Sequence, residues 1–177
     1  DVPAITPPVQ DALLVAHLNK LGIRSVLMDA EGLRTTVADI ARAVVECKPL
    51  AVLISTDHVN SADVTKMAAA GETAKAIKGL SPAPVILYGN VPSAYPELTL
   101  RQESADMVCQ GEPYAPIAAL LGWLRSHGAG RELGSGEIRG IWAKYGDRIV
   151  PGEHAGRHDA IDALPYPDWD LVPPSQY

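Results

Sequence analysis

The sequence predicts an α/β protein: a flavodoxin-like, doubly wound parallel sheet of Rossmann type, followed by a β-hairpin and an extended linker. Three observations predict it. Short apolar runs end in glycine or hydroxyl residues: Ala51-Val52-Leu53-Ile54 runs into Ser55-Thr56-Asp57, Val85-Ile86-Leu87-Tyr88 into Gly89-Asn90-Val91-Pro92, and Asp106-Met107-Val108-Cys109-Gln110 into Gly111-Glu112-Pro113. Helix-like segments separate these runs, which is the pattern of a parallel sheet with covering helices. After Gly128 the character changes, and Gly128, Gly130, Gly134 and Gly136 make a flexible connection to a hairpin. In such sheets ligands bind in the crevice beyond the carboxyl ends of the strands. The small residues at those ends therefore line the candidate site.

Taken in order, the segment 11–21 places Leu13, Leu14, Ala16, His17, Leu18 and Leu21 on one helical face, and Gly22 stops it. Ser25-Val26-Leu27-Met28-Asp29 reads as a strand. A helix over 36–47 opens on Thr36, with Asp39 in the capping-box position, and ends at Lys48-Pro49. The next strand covers 51–55. Ser61 is the expected N-cap of a long helix over 61–78, with Asp63 near its start. Gly71 interrupts that helix and weakens it by about 1 kcal/mol relative to alanine. Pro82 and Pro84 bracket the turn into the strand 85–88. A last parallel strand covers 105–110, and a helix over 116–127 has Pro116 near its first turn. The helix at Asp11 should itself follow a strand, but 1–8 is too short and proline-rich to be one. A first strand is therefore expected just upstream, which gives the strand order 2-1-3-4-5. The start at Asp1 rather than Met fits a fragment or a processed form. Residues 1–127 form the α/β domain, and 128–177 form the hairpin and linker. Residues 138–144 and 148–150, around Gly146-Asp147, read as the hairpin.

The bulk numbers narrow the function. The chain has 177 residues, 47% hydrophobic and 20% charged, enough for one domain with a core. A net charge of −6 speaks against a nucleic-acid backbone as partner. No apolar stretch approaches the roughly 20 residues that span a bilayer, and no signal peptide is visible. Cys47 and Cys109 make no disulfide framework, so a reducing cytoplasm is the expected compartment.

The turn residues carry a resemblance. Ser55-Thr56 after the third strand, Gly89-Asn90 and Pro96-Glu97 after the fourth, and Gly111-Glu112 after the fifth resemble the N-terminal cobalamin-binding domain of cobalamin-dependent radical S-adenosylmethionine enzymes. So do Gly140-Ile141-Trp142, Gly146-Asp147-Arg148-Ile149-Val150 and Leu164-Pro165-Tyr166-Pro167-Asp168-Trp169, the last being the most specific piece. The resemblance implies cobalamin (vitamin B12) as the cofactor bound here. It implies a [4Fe-4S] cluster and S-adenosylmethionine in a radical SAM domain of the same polypeptide, which this chain does not contain. It implies Thr6, Pro7, Ser55, Thr56, Asp57, Gly89, Asn90, Val91, Gln110, Gly111, Glu112 and Pro113 as cofactor-binding residues. The activity implied is methyl transfer from S-adenosylmethionine through cobalamin to an unreactive carbon or phosphorus of a small-molecule or peptide substrate. No residue of this chain is implied in catalysis or as a metal ligand.

The sequence also departs from the family. Asn90 stands where the family has a second glycine, and the C-x-x-x-C-x-x-C signature of the cluster is absent. The Asp-x-His-x-x-Gly motif that places a histidine under the cobalt is missing; Asp57-His58 only brings the two residue types together. The corresponding loop, near Asp1 to Pro8, has no His, Cys or Met, so a cobalt without a protein ligand on its lower face is expected.

Other residues have plainer readings. His58 is a loop residue and His17 a helix-face residue. His154 and His158 have helical metal spacing, but Gly152 and Gly156 argue against a helix. Trp123 is expected in the core, while Trp142 and Trp169 are expected between the hairpin and a neighbouring domain. Glu31 and Arg34 read as solvated charges, and Asp29, Asp106 and Glu112 form no evident acid–base pair. The rival readings are a receiver-type signalling domain, with Asp57 as phosphoacceptor, and a non-catalytic interaction module. The receiver needs a lysine after the fifth strand, where Gln110-Gly111 stands.

Overall fold

The computed structural model describes residues 6–56, 65–156 and 161–177. Its sheet is mixed, with β1 (Val52–Ser55), β2 (Val85–Tyr88), β3 (Met107–Cys109), β4 (Ile141–Tyr145) and β5 (Arg148–Val150) lying side by side in chain order. β1, β2 and β3 are parallel, in register Val52 to Val85 and Ile86 to Met107. β4 runs antiparallel to β3, with Val108 opposite Trp142, and β5 returns antiparallel to β4. The α/β, Rossmann-like class read from the sequence holds, and the hairpin continues the sheet past β3.

The helices are α1 (Val9–Lys20), α2 (Val37–Cys47), α3 (Thr65–Leu80), α4 (Asn90–Ala94), α5 (Pro96–Gln102) and α6 (Tyr114–His127). Alternation along the strands separates two cores. Ile86, Tyr88, Met107, Cys109, Ile141 and Ala143 share a cluster with Leu14 and Leu18 of α1 and with Ile117, Leu120 and Leu124 of α6. Leu87 and Val108 meet Ala70 of α3 and Leu100 of α5, and Val85 meets Ala41 of α2 with Ala74 and Ile77 of α3. Every residue of β2 is buried, which explains why 85–88 reads as continuous apolar sequence.

The capping box expected at α2 is formed. Thr36 Oγ1 accepts from the Asp39 amide at 3.2 Å, and the Asp39 carboxylate accepts from the Thr36 amide at 3.1 Å. The hydrogen bonds from Thr36 hold the Asp39 carboxyl below its usual range. We expect Thr36→Ala to lower stability by about 1 kcal/mol in a urea melt. At Gly71 the nearest group a Cβ would meet is the carboxylate end of the flexible Glu103 side chain, which can turn away.

Several expectations need correction. The run 25–29 forms no strand, because among the described residues nothing pairs with it. The last helix starts two residues early, at Tyr114, since Pro116 fits within its first turn. α4 and α5 were not expected, because Pro92 and Pro96 look like breakers although each sits in a first turn, where proline is tolerated. The glycine-rich connection after α6 is pinned rather than loose. Glu137 accepts from the Gly134 amide at 2.9 Å and the Trp123 indole at 2.8 Å, and Arg131 lies over the Trp123 ring. The Gly134 bond, ahead of the Trp123 bond, lowers the Glu137 carboxyl below its ordinary 4.5. The pinning is therefore complete above 4.5 and fades as pH falls through the lowered value. Glu31 is paired with Lys66 rather than simply solvated. The linker 162–171 contains the short 3-10 turns Ile161–Ala163 and Trp169–Leu171. Asp57, His58, Ser61 and Asp63 lie outside the described residues, as does His158.

Candidate functional site

The carboxyl ends of β1, β2 and β3 form one continuous edge, stitched by short hydrogen bonds. Ser55 ends β1, and the buried Thr56 follows it. The Thr56 amide and hydroxyl both donate to the Tyr88 carbonyl, at 2.9 and 3.1 Å, tying the end of β1 to the end of β2. Gly89 turns the chain out of β2 at φ +122°, a conformation that side chains disfavour. Asn90, exposed, and Val91, half-buried, then begin α4.

β3 ends the same way. Gly111 adopts φ +87°, and its amide donates to Ser93 Oγ at 2.7 Å. Gln110 is held on three sides. Its amide donates to the Gly140 carbonyl at 2.7 Å, its Nε2 to the Ser93 carbonyl at 3.4 Å, and its Oε1 accepts from the Trp142 indole at 3.0 Å. Glu112 and Pro113 lead into α6, with Pro113 as its N-cap residue.

Two further segments reach this edge. Tyr88 Oη donates to Asp11 Oδ1 at 2.6 Å, which sets the first turn of α1 beside the end of β2, with Pro7 and Thr6 just before it. From β5, the segment 151–156 returns toward the end of β3. The Gly140 amide donates to the Glu153 carbonyl at 2.6 Å, and the Gly156 carbonyl lies 3.8 Å from where a Gly111 Cβ would stand. Beside Gln110 and Trp142, an open groove of about 440 Å³ runs along Ala94, Tyr95, Pro96 and Leu98.

The edge therefore gathers Ser55, Thr56, Gly89, Asn90, Val91, Gln110, Gly111, Glu112 and Pro113, with Thr6 and Pro7 alongside. Asp57 lies outside the described residues. Sequence reading missed Ser93 and the partner of Trp142. Ser93 sits four residues after Gly89, one helical turn on, and its amide bonds the Gly89 carbonyl at 2.9 Å; that spacing was the available signal. The Trp142 indole donates to Gln110 Oε1, and the residue stays half-buried. His17 sits on α1 as expected, edge-on to the Tyr114 ring at 6.0 Å.

Among the described residues no three His, Cys, Asp or Glu side chains group as a metal site. Asp106 bonds Lys78 and the Val85 amide, and Asp29 accepts from the Glu31 and Gly32 amides and from Tyr177 Oη. Burial pushes the Cys109 thiol up to about 12. We expect a thiol reagent at pH 8 to label the exposed Cys47 and to leave Cys109 unlabelled in the folded protein, as read by mass spectrometry.

The turn after β3 leaves room for a ligand against its backbone: the Cβ position of Gly111 meets nothing closer than the Gly156 carbonyl, at 3.8 Å. Backbone and ligand can approach closely there.

The fold is a Rossmann-like α/β domain with its candidate site at the strand ends. Solved structures that share the fold include cobalamin-dependent or methyl-transferring radical enzymes. OxsB, a cobalamin-dependent S-adenosylmethionine radical enzyme with aqua-cobalamin and S-adenosylmethionine bound, matches at TM-score 0.73 and 18% identity over 97% of this chain and 23% of its own. TsrM from Kitasatospora setae, a radical S-adenosylmethionine methyltransferase with cobalamin and a [4Fe-4S] cluster bound, matches at TM-score 0.70 and 18% identity over 94% of this chain and 29% of its own. TsrM with tryptophan substrate and a S-adenosylmethionine analogue matches at TM-score 0.70 and 16% identity, over 86% of this chain and 28% of its own. The likeness is one of fold, and this chain spans less than a third of each solved chain. No family profile matches the sequence, and no curated protein does. No helix among the described residues is long and apolar enough to cross a membrane.

Proposed function

We propose that this chain is the cobalamin-binding domain of a radical S-adenosylmethionine enzyme, and that the enzyme is a methyltransferase acting on an unreactive carbon or phosphorus. One observation carries the reading: the ends of β1, β2 and β3 form one edge, with side-chain-free turns at Gly89 and Gly111, in a fold shared with the enzymes above. In this reading Ser55, Thr56, Gly89, Asn90, Gln110, Gly111 and Glu112 hold the cofactor, with Thr6 and Pro7 at its margin. Gly89 and Gly111 let the backbone come close, and Ser55 offers a hydroxyl to the polar atoms of the nucleotide tail. Gln110, itself fixed by Ser93 and Trp142, keeps the Gly111 turn in one shape. When bound, cobalamin supplies a cobalt centre that can carry a methyl group. The iron–sulfur cluster and S-adenosylmethionine belong to a separate radical domain.

The cobalt in this reading has no protein ligand on its lower face, since Thr6, Pro7 and Pro8 carry no imidazole, thiol or thioether. Titration of the anaerobic protein with hydroxocobalamin tests both statements. Retention near one cobalt per chain with a shifted corrin spectrum supports the domain assignment; no retention ends it. A coupling from nitrogen-labelled histidine in the paramagnetic resonance spectrum of the reduced cobalt would end the ligand-free reading alone.

A further inference from the structure

We infer that Ser93 is a ligand-contacting residue of the strand-end site, and that its hydroxyl donates to the phosphate of the cobalamin nucleotide tail; this rests on the cobalamin reading above.

α4 carries Ser93 into the gap between two strand ends. Its amide donates to the Gly89 carbonyl at 2.9 Å, at the turn out of β2. Its Oγ accepts from the Gly111 amide at 2.7 Å, at the turn out of β3. Its carbonyl accepts from Gln110 Nε2 at 3.4 Å. These bonds hold a half-buried side chain in place between the two glycine turns.

A serine hydroxyl has one proton to donate and two lone pairs. The Gly111 amide occupies a lone pair, and the proton goes to no acceptor among the described residues. The acceptors around it already have donors. The Tyr88 carbonyl takes the Thr56 amide and hydroxyl, and the Gly89 carbonyl takes the Ser93 amide. The Ser93 carbonyl takes Gln110, whose own Oε1 takes the Trp142 indole at 3.0 Å. What Ser93 offers a ligand is therefore a proton. The bond from Gly111 strengthens that offer, because accepting one hydrogen bond polarises the O–H that makes the next.

A donor whose neighbouring acceptors are engaged suits a group that accepts only. The side-chain amides of the corrin ring carry N–H donors beside their carbonyls, so they need partners of both kinds. The phosphodiester of the nucleotide tail has acceptor oxygens and no donor. Its negative charge also makes a hydrogen bond from a hydroxyl shorter and stronger. Ser93 thus discriminates between corrinoids with and without the tail, while Gly111 gives room to either.

Equilibrium titration with two corrinoids tests this: hydroxocobalamin, and cobinamide, which is the ring without phosphate, ribose or base. Ser93→Ala is expected to weaken cobalamin binding at least about tenfold, as loss of a hydrogen bond to a charged group does. Cobinamide binding is expected to stay within about threefold of wild type. Ser93→Cys, close to serine in shape and a much weaker donor, is expected to show the same split. Equal weakening of both corrinoids in the two variants would overturn the assignment, because a distorted Gly111 turn harms either ligand. Unchanged cobalamin binding in either variant would overturn it as well, as would wild-type protein that holds the two corrinoids equally. Wild-type protein that binds neither fails the cobalamin reading itself, and this assignment falls with it.

Discussion

On the proposed function, Gly111→Val is expected to weaken cobalamin retention at least tenfold more than Gly111→Ala while the domain stays folded. Gly111 sits at φ +87°, where a Cβ costs about 1–2 kcal/mol. That Cβ would clash with nothing, since the Gly156 carbonyl at 3.8 Å is its nearest neighbour. The penalty to the fold is thus backbone strain, a modest part of a stability of about 5–15 kcal/mol. The penalty to binding is different in kind, because the isopropyl group would stand on the open edge where the ligand must lie. Gly111→Ala carries most of the strain with less bulk and serves as the control. We expect valine to weaken retention at least tenfold beyond alanine, read by titration, while circular dichroism keeps its native shape. Equal retention by both variants would take Gly111 out of the binding edge.

A large loss of stability is expected from Gly140→Ala. Gly140 sits at φ +81°, and a Cβ there would lie 2.9 Å from Ala155 Cβ, 3.0 Å from Pro116 Cγ and 3.1 Å from the Gln110 carbonyl. None of these is the far end of a flexible side chain. Pro116 is buried in the first turn of α6, Ala155 is carried by the segment that bonds Gly140, and the third contact is backbone. Strain of about 1–2 kcal/mol adds to overpacking of about 1–3 kcal/mol. We expect a loss of about 3 kcal/mol in urea unfolding. The same site joins β3, α6, the hairpin and the returning segment 151–156, so the change should also loosen the Gly111 turn. A loss below about 1 kcal/mol would mean that this junction can shift.

These two glycines show what a sequence can and cannot disclose. Gly111 was legible because it ends an apolar run, and a strand end in a parallel sheet is where ligands sit. Gly140 was legible only as the start of a hairpin; that three elements meet on it depends on contacts remote in sequence. Strands 52–55 and 85–88 and the Thr36 cap were readable for local reasons, namely apolar runs and a side chain that bonds its own backbone. The run 23–29 carries the same apolar signal and still forms no described strand, because pairing is a property of the neighbour as well as of the run. α4 and α5 were hidden by prolines that look like breakers but occupy first turns. Ser93, the acceptor that shapes the Gly111 turn, is an unremarkable serine until its distance to that amide is known.

If the ends of β1, β2 and β3 hold a cobalamin, as proposed, the cobalt must lie beside them. Crystals of the protein grown with cobalamin, measured at the cobalt absorption edge, place the metal without reference to any assumed pose. A single anomalous peak is expected beyond Ser55, Gly89 and Gly111, on the side of the sheet edge from which Tyr88 and Asp11 bring in α1. A peak at the amino edge of the strands, or one in the groove of Tyr95 and Leu98 with the glycine edge empty, would contradict it.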